Sequence, residues 1–139
     1  MSKGIRIRDW RYLGALLLLS ASTLYFTFWA AVDILARLGW WPDGWLGFSG
    51  ASLIQSLTWL DELLFSVHGI TKYATLFGLV RKSRWTIWVM VAVLTLSVVQ
   101  WILLTSNPVY DASVDGFAFI IVDLMALALI YLMRVRRVM

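Results

Sequence analysis

Four apolar segments, each near the length of a membrane span, decide what this chain can fold into. They are residues 12–36 (YLGALLLLSASTLYFTFWAAVDILA), 62–80 (ELLFSVHGITKYATLFGLV), 85–105 (WTIWVMVAVLTLSVVQWILLT) and 116–133 (GFAFIIVDLMALALIYLM). Crossing about 30 Å of hydrocarbon takes about 20 helical residues at roughly 1.5 Å each. The first segment is long enough to tilt or to project beyond the bilayer. With 139 residues there is room for a single domain, 1–139, and 61% of them are apolar against 14% charged. A soluble fold of this size has too little interior to hide that surplus, so it faces lipid. Nine tryptophans suit the same setting, because indole favours the boundary between headgroups and hydrocarbon.

The opening MSKGIRIRDW is basic. The apolar run behind it is longer than a signal-peptide core, and no A-x-A-like site follows, so it reads as a retained first span. Of twelve Lys and Arg, four precede span one (Lys3, Arg6, Arg8, Arg11) and three separate spans two and three (Arg81, Lys82, Arg84). Three more follow span four (Arg134, Arg136, Arg137), whereas the opposite loops carry Asp43, Asp111 and Asp115. The positive-inside rule therefore puts both termini in the cytoplasm, and four spans return the chain to its starting side. The expectation is an all-α integral membrane protein of a bacterial-type inner membrane. Its four transmembrane helices form a compact up-down bundle, N-in and C-in.

Between spans one and two, Pro42-Asp43-Gly44 signals a turn, and residues 51–60 suggest a short interfacial helix or an outward extension of span two. Trp40, Trp41, Trp45 and Trp59 would form an outer belt, with Trp10, Trp85 and Trp88 marking the inner one. Nucleic acid is not an expected partner, because the basic residues are flanking anchors without interleaved aromatics. The expected partners are the lipid bilayer and either other membrane subunits or further copies of the chain.

Depth separates ordinary charges from unusual ones. Counted from Arg81 at the cytoplasmic edge, Asp61 lies about 30 Å away, at the outer boundary, with Glu62 level with it. Both read as interfacial carboxylates. Asp33 lies near the outer end of span one, with Arg37 one turn on as a ready i, i+4 partner. Lys72 is different, about 13–14 Å from the edge and close to the midplane, with His68 roughly 20 Å from it. On span four, Asp123 falls between them at about 16–17 Å. Gln100 of span three adds a neutral donor and acceptor nearer the outer end. A lone charge at midplane costs about 2.5–3.5 kcal/mol on insertion scales, so Lys72 and Asp123 are expected to pair.

Two readings of this layer compete. A buried pair could fix helix register, with His68 a neutral hydrogen-bonding residue. The group could instead relay protons or bind a polar ligand. Catalytic motifs are missing: there is no G-x-S-x-G, P-loop or Rossmann glycine pattern. Ser66, two residues from His68, points to a different side of the helix. A metal site from His68, Asp123 and an outer carboxylate is disfavoured by the positive charge of Lys72 beside them and by the lack of E-x-x-H or H-x-x-x-H spacing. With one histidine, a haem or quinone would need a partner's residues at an interface.

The leading functional expectation is a non-catalytic accessory or assembly subunit of a larger membrane complex. The alternative is a small homo-oligomeric, proton-coupled transporter or channel using the His68, Lys72 and Asp123 layer. A membrane-embedded enzyme or a quinone- or haem-site subunit comes third.

Overall fold

The computed structural model describes residues 10–47, 49–109 and 113–135. Lys3, Arg6, Arg8, Asp111, Arg136 and Arg137 of the charge pattern lie outside these, as does the side chain of Asp115. Five helices follow in order: α1 (Trp10–Arg37), α2 (Gly50–Ser56), α3 (Trp59–Val80), α4 (Thr86–Thr105) and α5 (Ser113–Val135). A single 3₁₀ turn, Trp45–Gly47, precedes α2, and no strand occurs among the described residues. All but α2 are long and apolar enough to cross a membrane, which makes this a multi-pass membrane protein.

Helix ends are set by local chemistry. The α1 helix stops because Gly39 turns left-handed (φ 70°). Its N–H and that of Trp40 then close back onto the carbonyls of Ala36 and Leu35, satisfying the last turn. The α3 helix ends the same way, with Lys82 in the left-handed position (φ 52°) and Ser83 donating to the Gly78 carbonyl at 2.8 Å. Gly78 also lets the turn fold flat. A Cβ there would come within 2.6 Å of Thr86 Oγ1 and 2.8 Å of the Trp85 ring.

At the other end of α3, Thr58 and Asp61 form a reciprocal capping box. That cap starts the helix at Trp59, three residues before the apolar segment begins. Leu57 and Thr58 are extended, so α2 is a separate short helix and not an extension of span two. Trp41 also departs from the outer belt. It is buried with Val32, Ala36 and Leu53, because Gly50 lets its side chain slide under α2.

Each long helix touches two others: α1 packs on α5 and α3, and α4 packs on α5 and α3. The resulting ring encloses two unlike halves. Ala15 and Leu19 of α1, Leu79 of α3, Met90 and Val93 of α4, and Ala126, Ile130 and Met133 of α5 fill one end as a close-packed core. The other end, where α1 and α4 finish and α3 begins, is hollow.

Candidate functional site

The hollow is a cavity of about 360 Å³ lined by α1, α2, α3, α4 and α5. Its walls carry Tyr25, Phe26, Trp29, Phe65, Trp101 and Phe119. Tyr25 stacks on Phe119 with ring centres 3.7 Å apart, and Phe26 stacks on Phe65 at 4.4 Å. Gly69 makes the second stack possible, since a Cβ there would lie 2.7 Å from Phe26. Aromatic pairs thus close the seams between α1 and its two neighbours.

The rim is charged. Arg37 donates from Nε to Asp33 at 2.9 Å, the i, i+4 pair, and from Nη2 to Glu62 at 2.9 Å, which ties α1 to α3. These side chains keep 39%, 27% and 46% of their exposure in the order Arg37, Asp33, Glu62, so the pairs contribute little to stability. Asp61 sits beside them but serves the cap, accepting from the backbone N–H of Thr58 at 2.8 Å and its hydroxyl at 2.7 Å. The rim carboxylates therefore hold helix ends together.

The floor holds His68, Lys72, Asp123 and Gln100, the inner group read from depth. Lys72 Nζ lies 2.9 Å from Asp123 Oδ2, with side-chain exposures of 4% and 1%. The same ammonium donates to Asp123 Oδ1 at 3.2 Å and to Ser22 Oγ at 2.6 Å. Ser22 in turn donates a hydrogen bond to Asp123 Oδ1 at 2.7 Å, and Ser97 Oγ donates to Oδ2 at 2.9 Å. Two hydroxyls thus satisfy the carboxylate's remaining capacity, a condition for a buried ion pair to be tolerable. All four long helices contribute: Ser22 from α1, His68 and Lys72 from α3, Ser97 and Gln100 from α4, and Asp123 from α5.

Ser22 and Ser97 were not candidates from the sequence. Ser22 lies in the small-residue run Ser20-Ala21-Ser22, which suggests only close packing. Ser97 did carry a signal, because it stands three residues before Gln100 and so shares its helix face.

Ser97 is the pivot of the floor. His68 Nδ1 hydrogen-bonds the Gln100 side-chain carbonyl, so with the amide placed this way Nδ1 carries a hydrogen. His68 Nε2 lies 3.1 Å from Ser97 Oγ. A serine has one proton to give. When Nε2 is also protonated, it donates to Ser97, and Ser97 donates to Asp123. When Nε2 is bare, the hydroxyl can turn to it, and Asp123 then loses a hydrogen bond. The histidine's proton is thereby tied to the ion pair through one rotatable hydroxyl.

This arrangement differs from a Ser-His-Asp triad. The imidazole is oriented by a neutral amide, and the carboxylate bonds the serine itself and not the histidine's far nitrogen. Among the described residues no group of three or more His, Asp or Glu side chains is placed to hold a metal ion. Scans against protein-family models, curated proteins and solved structures find no match.

Proposed function

We propose that this protein is a small carrier that binds a solute in the cavity and links its passage to a proton on the His68–Ser97–Asp123 line. One observation carries the reading: the cavity ends on that line, where all four long helices meet. A structural lock has no need of an inlet, whereas a carrier needs one leading to an ionisable floor. The close-packed core beneath closes the opposite end, as in a carrier open to one side.

In vesicles with an imposed pH gradient and an internal pH dye, we expect some solutes to change the proton flux. The solutes are permanently charged ammoniums, sulfonates and neutral polar aromatics, and the effect should vanish with His68→Phe. A flux that no solute class changes relative to protein-free vesicles would remove the carrier function.

The orientation that fits the basic flanks places the cavity mouth outside the cell and both ends of the chain in the cytoplasm of a bacterial-type membrane. The chain has no cysteine, so labelling is free of background. Asp43→Cys should react with a membrane-impermeant thiol reagent in intact cells and Lys82→Cys should not; the reverse pattern would invert the protein.

A second reading, an accessory subunit of a larger membrane assembly, is favoured by the completeness of the floor. Lys72 and Asp123 have their bonds made within the chain, as a register lock requires.

A further inference from the structure

We infer that the cavity selects a small organic cation with a ring or similar apolar body, an assignment that rests on the carrier reading. The charges along its lining are unequal. Four carboxylates (Asp33, Asp61, Glu62 and Asp123) face the guanidinium of Arg37, the ammonium of Lys72 and one imidazole, His68. At the floor Lys72 neutralises Asp123. At the rim a single guanidinium is shared by Asp33 and Glu62, while Asp61 is held by Thr58, which brings no charge. Two negative charges are therefore left over, and both belong to the mouth. A mouth of one sign above low-dielectric walls concentrates the opposite sign of solute and repels its own.

At the floor the groups that could offset that repulsion are already engaged, the two ring nitrogens of His68 by Gln100 and Ser97 among them. The ammonium of Lys72 is committed to Ser22 and both oxygens of Asp123, and the hydroxyls of Ser22 and Ser97 are committed to the same network. Arg37 points two of its nitrogens at carboxylates.

The walls select in the same direction. Six aromatic rings surround the space, and an aromatic face attracts a cation through its quadrupole, most strongly where water is thin. Those rings also receive an apolar body, so a bare inorganic cation would leave most of the lining unused. A volume of about 360 Å³ holds a single-ring ammonium with room for some water. Charge, wall chemistry and size converge on one ligand class.

The test uses the purified chain in nanodiscs and three probes that share a phenyl ring: benzyltrimethylammonium, phenylacetate and benzyl alcohol. By isothermal titration the ammonium should bind at least tenfold more tightly than either of the others. Arg37→Gln, which removes the rim's cation, should strengthen ammonium binding severalfold. Asp33→Asn with Glu62→Gln leaves Arg37 unopposed, and should weaken it at least tenfold while phenylacetate gains. The altered side chains are partly exposed, and a thermal melt of each variant confirms that it is folded.

Tighter binding of phenylacetate or benzyl alcohol, or the opposite order among the variants, would overturn the cation assignment and leave the carrier standing. Failure of all three probes to bind would also overturn it. The carrier reading is judged separately, by the solute-dependent proton flux in vesicles.

Discussion

Lys72→Met alone and Asp123→Leu alone should each destabilise the protein by about 3–5 kcal/mol, because each strands a charge that the other now neutralises. The pair is almost wholly enclosed, at 4% and 1% exposure, so water cannot replace the lost partner. The double substitution should recover much of the stability, since two apolar side chains need no partner. Reversible unfolding in mixed detergent micelles measures all four proteins. Additive losses in the double variant would show that the contact carries no coupling. The same variants separate the two functional readings. An accessory subunit carrying both substitutions assembles and still works, whereas a carrier carrying both assembles and no longer couples solute to protons.

Ser97→Val should be the next most damaging change, at about 3 kcal/mol, the upper end for an orphaned buried partner because one of the orphans is a carboxylate. The substitution keeps the volume near that of serine plus a methyl group but removes the hydroxyl that touches both His68 Nε2 and Asp123 Oδ2. Ser97→Thr restores the hydroxyl and should recover most of the loss. In vesicles, Ser97→Val should also uncouple solute movement from the pH gradient while Ser97→Thr retains it. A valine variant with wild-type stability and an unchanged pH response would mean that His68 and Asp123 do not communicate through residue 97.

The four long helices were legible because bilayer thickness fixes their length and because 61% apolar content leaves no soluble alternative. Their ends were less so. The first residue of α3 is set by Thr58 and Asp61, a threonine and an acid three apart whose cap precedes the apolar run. The inner group was readable from depth alone, since charges at one level on two spans have few ways of being satisfied except by each other. Ser22 and Ser97 escaped that logic. A serine in a span costs little by itself, so its position gives no warning that a partner is near. Trp41 shows the opposite limit. Tryptophan beside a turn suits an interface, and only the gap left by Gly50 on a different segment turns it inward.

The division of the bundle into a hollow half and a packed half has an electrical consequence. In the proposed carrier, a water-filled cavity would carry little of the membrane potential, and most of the drop would fall across the close-packed layer between Asp123 and the opposite surface. Moving one elementary charge through the full potential is worth about 2.3 kcal/mol per 100 mV. With the mouth facing outward, a proton would reach His68 almost free of the field, and its onward step past Met90 and Ile130 would take up nearly all of that work. Voltage would then act on the second half of the journey and leave the first to concentration alone.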